Sequence, residues 1–225
     1  EWLKQTFSKD ENFIEPVKKM MLASREANVH YEMPLGLHHT FKGPDHYGPG
    51  PWDRSIRPDW EPAYYHKASK DGLGFDRTHN GSDAVAQYHE PLCSMFNSPE
   101  TCPEELILWF HHLPWNFKMK SGHTLWNELC YTYQSGIDEA RSYIDIWNSV
   151  KDYVDESRFN DVAVKLERQA KDAWWWRDAC LLYFQQFSGM KLPMDCPAPK
   201  FKFEDLQKYN LPIDNYTRAP FDKLP

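Results

Sequence analysis

The sequence lacks the features that mark membrane proteins and nucleic-acid-binding proteins. No apolar run approaches the roughly 20 residues that span a bilayer, and the stretch from Ala179 to Phe187 is interrupted by Gln185 and Gln186. Basic residues (26) are fewer than acidic residues (33), which gives a formal charge of −7. Because proteins that bind nucleic acid or anionic membranes normally carry a dense Lys/Arg face, we expect neither as a partner.

Cysteine is sparse, and its spacing argues against the usual cysteine-based sites. The five cysteines are odd in number and include no C-x-x-C pair. We interpret them as mostly buried, reduced thiols, with a Cys93–Cys102 disulfide as the alternative. Glycine-rich phosphate loops and motifs around a nucleophilic serine or cysteine are also missing. The first four residues, Glu1 to Lys4, show no basic n-region of a secretion signal, and the sequence does not specify a compartment. We expect a soluble protein, cytoplasmic or periplasmic, rather than a membrane protein.

Aromatic residues, in contrast, are abundant. Ten Trp, twelve Tyr and thirteen Phe make up 16% of the 225 residues. Such a content is typical of surfaces that stack on sugars or of large protein interfaces. Residues 29–77 combine these rings with Pro, Gly and His, and the run from Gly43 to Trp52 cannot form a regular helix. Since long loops in compact domains are usually functional, we expect a functional loop region here.

Apolar periodicity predicts a mainly α fold. Helices are predicted over residues 10–27, 82–96 and 103–110, and a long helix over 124–150. The buried stripe predicted for the long helix consists of Trp126, Leu129, Tyr133, Ile137, Ala140, Ile144 and Trp147. A second long helix is predicted over 157–188, antiparallel to the first and ended by Gly189. We divide the chain into a helical lead-in (1–28), a main domain (29–190) and a Pro-rich tail (191–225) that wraps over the surface or frays.

Four loop residues, His38, His39, Asp45 and His46, are candidate metal ligands, because imidazole and carboxylate groups are the usual donors. Their spacing matches no recognised metal site, and in extended chain His38 and His39 would point to opposite sides. The alternatives are hydrogen bonds to loop carbonyls and a role in lining a pocket. We predict no metal or other cofactor, and we include His39 among the substrate-binding residues.

Acidic residues of the same region could in principle form the carboxylate pair that glycoside hydrolysis requires. The candidates are Asp59, Glu61, Asp76 and Asp83. Acidic residues are frequent between Asp45 and Glu105, so a nearby pair carries little information. We interpret these carboxylates as solvated or salt-bridged rather than catalytic.

Aromatic rings of the loop region are stronger candidates, because flat rings beside proline turns form rigid platforms for pyranose rings. We predict that Tyr47, Trp52 and Trp60 bind substrate, with Tyr64 and Tyr65 as further loop rings. Trp52 is the preferred contact, since it follows a Gly-Pro-Gly-Pro run that permits close approach and removes flexibility. The alternative is that the rings pack the loop against the helices.

Arg177 interrupts the apolar stripe of the last long helix and directly follows three consecutive tryptophans, residues 174–176. Successive helical residues are about 100° apart, so we expect at least one indole to point away from the core. An interface formed by Arg177, Trp175 and Trp176 would match the composition of binding hot spots. The alternative is an arginine whose head pairs with Asp172 or Asp178.

Six sequence blocks resemble, in order, the C-terminal region of glycoside hydrolase family 67. The blocks span residues 34–39, 46–52, 74–78, 84–89, 108–115 and 175–188. The resemblance implies the mostly helical third domain of a three-domain enzyme whose (β/α)8 barrel is absent from this chain. That family removes (4-O-methyl)glucuronic acid from xylo-oligosaccharides by inversion, and its acid and base belong to the barrel. No position of this chain matches them, so we assign no catalytic residue.

The resemblance also implies roles for two residues and three kinds of partner. Trp52 is similar to the tryptophan that closes over the glucuronic acid pocket, and Arg177 resembles an interface arginine of the family's dimers. The implied partners are an acidic xylo-oligosaccharide, a catalytic barrel as a domain or separate chain, and a second copy of the protein. Two other functions stay open: a stand-alone module that binds xylan oligosaccharides, and a small carbohydrate-active enzyme that uses the loop His, Asp and Glu residues.

Overall fold

A computed structural model describes residues 1–43 and 46–209. Its α-helices, in chain order, are α1 Trp2–Thr6, α2 Glu11–Glu32, α3 Pro62–His66, α4 Leu92–Asn97, α5 Ile107–Phe110, α6 Leu125–Ser149, α7 Glu156–Ser188 and α8 Phe203–Lys208. Within the described residues, β structure is limited to isolated bridges, such as the one between Phe41 and Pro49. The predicted mainly α fold without a (β/α)8 barrel is therefore confirmed for this part of the chain.

The three long helices begin and end where local chemistry predicts. Asp10, Thr124 and Asp155 cap α2, α6 and α7, because each side chain accepts a hydrogen bond from a backbone N–H of the first helical turn. Gly189 ends α7 in the left-handed conformation (φ 62°), as predicted for a C-terminal stop. The helices predicted over 124–150 and 157–188 are thus confirmed to within one or two residues.

The core lies between α6, α7 and α2. The buried stripe of α6 is confirmed except at Ile144, which is half-buried, whereas its neighbour Tyr143 is buried. The helix packs against α7, as predicted, and equally closely against α2. At Gly136 a Cβ atom would lie 2.8 Å from the backbone N of Tyr31, so the absence of a side chain permits the close crossing of α6 and α2.

Two of the predicted boundaries are wrong. The helix predicted over residues 82–96 is instead a 3₁₀ turn, Ala84–Gln87, followed by α4, because Pro91 has no N–H to continue the helix. The loop predicted to begin at Val29 begins after Glu32, where α2 ends, and it contains the short helix α3. The predicted segment 103–110 is confirmed as a 3₁₀ turn that leads into α5.

The end of the described chain, residues 190–209, runs back over α7 and is called the C-terminal segment below. Trp126 Nε1 donates to Lys191 O (2.9 Å), and Cys196 lies in the same core cluster as Trp126. Leu206 of α8 is 2% exposed and packs with Trp175 and Ala179 of α7. Residues 210–225, the rest of the predicted Pro-rich tail, lie outside the described residues.

All five cysteines have free thiols, so the alternative of a Cys93–Cys102 disulfide is wrong. Four of them are buried and Cys93 is half-buried. No helix of the described residues is both long enough and apolar enough to cross a bilayer.

Candidate functional site

In the loop that follows α2, residues 40–43 pair with residues 46–50, and these two stretches are called the hairpin below. Lys42 N donates to Gly48 O (2.9 Å) and Gly50 N donates to Thr40 O (2.8 Å). Gly48 has φ +73°, and a Cβ atom at this position would lie 2.2 Å from the Trp175 ring. Only glycine therefore allows the hairpin to approach α7 this closely.

Tyr47, one of the predicted substrate-binding residues, lies in this contact between the hairpin and α7. Its ring centroid is 6.3 Å from that of Trp175, and the side chain is half-buried. Burial, reinforced by Asp172, raises the pKa of Tyr47 to about 12. Burial, with a further contribution from Glu32, raises the pKa of Asp172 to about 7. Tyr47 is thus a neutral phenol that packs the loop onto the helix.

Trp52, the preferred sugar contact, is half-buried between two elements. Its ring lies 6.3 Å from Tyr183 of α7 and 5.2 Å, edge to face, from Phe203 of α8. The preceding carbonyl, Pro51 O, is 3.0 Å from His66 Nε2, and His66 is buried. The hydrogen bond to His66 therefore holds the turn before Trp52 in place. Phe203 of the C-terminal segment covers part of the Trp52 ring.

His39 lies in a second aromatic group, next to α3. Its ring stacks on Tyr65 with centroids 3.7 Å apart and planes 5° apart. The chain is not extended here, since His39 has φ 56°, and the two rings do not point to opposite sides: the Nδ1 atoms of His38 and His39 are in contact. Burial, with smaller contributions from His38, His46 and Arg77, lowers the pKa of His39 to about 4, so its ring is neutral near pH 7.

Trp60 is the most open of the predicted substrate-binding rings, with 53% of the residue exposed. The Arg57 guanidinium carbon lies 5.2 Å from the centroid of its ring, and Arg57 also forms an ion pair with Asp59 (2.5 Å). Tyr64, one turn further along, is 39% exposed. The edge of α3 therefore presents two rings to solvent.

Arg77 has a prominent position in the structure that the sequence reasoning missed. The extended segment 73–77 is held against 108–113 by backbone hydrogen bonds, including Arg77 N to Phe110 O (2.9 Å). The Arg77 guanidinium carbon lies 3.7 Å from the Trp109 ring centroid and 4.3 Å from that of Phe75. No local pattern signals this position, because Gly74 has φ +97° and interrupts the alternation of an extended chain, and Trp109 is distant in sequence.

The aromatic and basic residues around Arg77 form one connected group. Rings of His38 and Trp109 lie 5.4 Å apart, and rings of Tyr64 and Phe75 also lie 5.4 Å apart. We call this group the Arg77 cluster; its members are His38, His39, Tyr64, Tyr65, Lys67, Phe75, Arg77 and Trp109.

The carboxylates of the loop region have structural partners. Glu61 pairs with Arg54 (2.8 Å), Asp59 with Arg57, and Asp76 Oδ1 accepts hydrogen bonds from the backbone and hydroxyl of Thr78 (3.0 and 2.7 Å). Asp83 pairs with His79. These contacts agree with the salt-bridged interpretation.

The described residues contain no group of three or more His, Cys, Asp or Glu side chains that could hold a metal ion. Of the four predicted ligands, Asp45 lies outside the described residues. His46 packs against Phe41, with ring centroids 4.6 Å apart.

Arg177 is fully buried, together with Asp178, and the two form an ion pair of 3.1 Å. Trp175 and Trp176 are 2% and 5% exposed, so neither is the indole expected to point away from the core. Trp174 is half-buried, and Lys200 Nζ lies 3.8 Å from its ring centroid. The C-terminal segment thus covers the predicted interface residues, and their role in assembly stays a prediction.

Comparison with known proteins shows where this chain has relatives. The model of the family described as "Glycosyl hydrolase family 67 C-terminus" matches residues 1–196. "Alpha-glucuronidase A" of Emericella nidulans is 33% identical over 192 residues, which cover 84% of this chain and 22% of that protein. "Alpha-glucuronidase A" of Aspergillus tubingensis and "Probable alpha-glucuronidase A" of Aspergillus oryzae are each 30% identical over 84% of this chain. The chain spans about a fifth of the length of these relatives.

Proposed function

The chain belongs to the glycosyl hydrolase family 67 C-terminus family, and we propose that it acts as the C-terminal portion of an α-glucuronidase. The substrate would be an acidic xylo-oligosaccharide that carries (4-O-methyl)glucuronic acid side groups, so the protein would take part in xylan degradation. Catalysis would require a (β/α)8 barrel, present as a preceding domain or a separate chain, because such enzymes place their catalytic groups at barrel strand ends. This chain would contribute part of the wall of the substrate pocket.

One observation in particular supports a wall of this kind: the open rings at α3. Trp60 is 53% exposed and Tyr64 39% exposed, whereas the other aromatic side chains of the described residues are buried or half-buried, with Trp2 as the exception. Exposed apolar side chains that lie close together mark surfaces that bind a ligand or a partner. His39, Tyr47 and Trp52 are half-buried and would offer only their outer edges to the sugar.

Calorimetry with an acidic xylo-oligosaccharide tests the wall. We expect weak binding to the chain alone and tighter binding when a barrel is present. Trp60→Ala should abolish the measurable heat, and Trp52→Ala should reduce it. Trp2→Ala is the matched control, because Trp2 is 55% exposed on α1 and should not affect binding. Equal loss in the Trp2 and Trp60 variants would contradict a specific wall.

We further propose that a second copy of the chain docks at Trp174 of α7 and Lys200, next to the predicted interface residues Trp175, Trp176 and Arg177. The support is that Trp174 stays half-buried beneath the exposed Lys200, although Trp175, Trp176 and Arg177 are covered. The C-terminal segment would then lie within the interface. Sedimentation should show a dimer that Trp174→Ala weakens, whereas a monomer at all concentrations would contradict this assembly.

A further inference from the structure

Two arginines are buried in the described residues, and they differ in one respect. Arg177, fully buried, pairs with the carboxylate of Asp178. Arg77 is 9% exposed, and among residues 1–43 and 46–209 no carboxylate pairs with it. A charge at a site with so little exposure gains from a counter-ion. None of the buried side-chain atoms without a hydrogen bond belongs to Arg77, so its free donors remain open to an anion from outside the described residues.

The hydrogen-bonding capacity of Arg77 is also largely unused. A guanidinium has five N–H donors in its plane. Arg77 Nη1 donates to the Trp109 carbonyl oxygen, which is the only side-chain hydrogen bond of Arg77 within the described residues. The rings of Phe75 and Trp109 contact the guanidinium but accept no hydrogen bonds from its remaining in-plane donors. Those donors are suited to the two oxygens of a carboxylate.

Other basic groups lie close to Arg77. Lys67 Nζ is 5.0 Å from the Phe75 ring centroid, so two cations contact the same ring. Arg77 itself contributes to lowering the pKa values of His38 and His39, second to burial for His38. Burial lowers the pKa of Arg77, and no acidic side chain of the described residues counteracts this effect. A bound anion would relieve the repulsion between these basic groups.

The rim of the Arg77 cluster offers surfaces for a sugar ring. Tyr65 and His39 stack on each other and are each half-buried, and Tyr64 is 39% exposed beside them. The neutral imidazole of His39 can exchange hydrogen bonds with hydroxyl groups. The cluster therefore combines a carboxylate-binding cation with flat rings and a neutral polar group.

We propose that Arg77 anchors a carboxylate-binding site and that its ligand is a uronic acid, whose ring packs beside Tyr65 and His39. The carboxylate would accept hydrogen bonds from the free donors of Arg77, and Lys67 would add long-range attraction. This assignment deepens the proposed function and rests on it, because that function supplies an acidic sugar as the ligand class.

The test is an NMR titration of the 225-residue chain with glucuronic acid, glucose and acetate. Glucuronic acid should bind about tenfold or more tightly than glucose, which has the same ring without the carboxylate, and more tightly than acetate, which has no ring. Binding of glucuronic acid should also raise the pKa of the His39 imidazole, because an anion beside Arg77 favours the protonated form of His39. That shift is measured in the unaltered protein and does not depend on whether a variant folds.

Substitutions of Arg77 test whether glucuronic acid binds at this residue. Arg77→Gln should abolish discrimination between glucuronic acid and glucose, and Arg77→Lys should keep part of it. Arg25→Gln is the control, because the Arg25 side chain is 80% exposed on α2 and should leave binding unchanged. Equal affinity for glucuronic acid and glucose, or unchanged discrimination in Arg77→Gln, would overturn the site. Acetate that binds as tightly as glucuronic acid would overturn the sugar assignment and point to a carboxylate of the barrel.

Different results would contradict the Arg77 site and the proposed function. If the acidic xylo-oligosaccharide binds equally well to the unaltered chain and to Arg77→Gln, the pocket wall stands and the Arg77 site is wrong. If the oligosaccharide binds neither the chain alone nor the chain with a barrel, the proposed function itself is wrong.

Discussion

Arg177 and Asp178 form a fully buried ion pair on α7. Each of the two side chains also forms a hydrogen bond with the C-terminal segment. Arg177 Nη1 lies 3.1 Å from Asp178 Oδ1, and Arg177 Nη2 donates to Pro197 O. On the other side, Lys200 N donates to Asp178 Oδ2 (2.6 Å). The pair therefore joins the last long helix to a segment most of which lies beyond residue 196, where the family match ends.

Removal of one partner of this pair should destabilise the protein strongly. Asp178→Asn leaves the Arg177 charge buried without a counter-ion, and the expected cost is about 3–5 kcal/mol. Arg177→Met should cost a similar amount for the opposite charge. The double variant should cost clearly less than the sum, because neither unpaired charge is then present. Urea unfolding of all four proteins gives this cycle, and additive losses would contradict the coupling.

The contact between the hairpin and α7 makes a prediction at Gly48. Gly48→Ala must accommodate a Cβ atom 2.2 Å from the Trp175 ring in addition to the strain of φ +73°. Gly122→Ala is the matched control, since Gly122 has φ +85° and no atom within 4 Å of the added Cβ. We expect the Gly48 variant to lose about 1–3 kcal/mol more stability than the Gly122 variant. Equal losses in urea unfolding would show that the hairpin does not pack on Trp175 as described.

His66 predicts a pH dependence. Its Nδ1 accepts from Ala68 N (2.9 Å), so the neutral ring carries its proton on Nε2, which donates to Pro51 O (3.0 Å). Burial, together with Arg54 and Lys67 and against the effect of the Pro51 carbonyl, lowers the pKa of His66 to about 4. The unfolded chain therefore binds a proton more readily, so stability is full above the unfolded pKa and is lost as the pH falls from about 6.5 towards 4.

The expected contribution of His66 is a loss of about 2 kcal/mol in the free energy of unfolding between about pH 7.5 and pH 5. His66→Asn keeps an acceptor for Ala68 N and removes the titration. Other groups still titrate in this variant, so the difference between the two proteins isolates His66. If both proteins lose the same stability over this range, the neutral buried His66 is wrong.

The fold was more predictable from the sequence than the site. The long helices follow from stripes such as Trp126 to Trp147 and from caps such as Thr124 and Gly189, which act locally. The helix predicted from Ser82 to Phe96 was wrong, because Pro91 interrupts a helix even where the apolar spacing is helical. The packing of the C-terminal segment over α7 could not be predicted, because Leu206 and Trp175 are distant in sequence and come into contact only in the folded protein.

The candidate site shows the same limit. Aromatic content predicted rings such as Trp60 and Tyr64, and the structure exposes both. The position of Arg77 could not be predicted from the sequence, because its isolation from carboxylates depends on which distant side chains surround it. For Trp52, the sequence predicted the rigid turn that precedes it, but it did not predict the contact of its ring with Phe203.

We propose that this chain serves an α-glucuronidase whose catalytic groups lie in a barrel outside it. The most direct measurement is release of glucuronic acid from an acidic xylo-oligosaccharide by the purified chain, with and without an α-glucuronidase barrel that lacks its own C-terminal domain. We predict no release by the chain alone, and an increase in the barrel's activity when the chain is added. Release by the chain alone, or a barrel whose activity the chain does not change, would contradict the account.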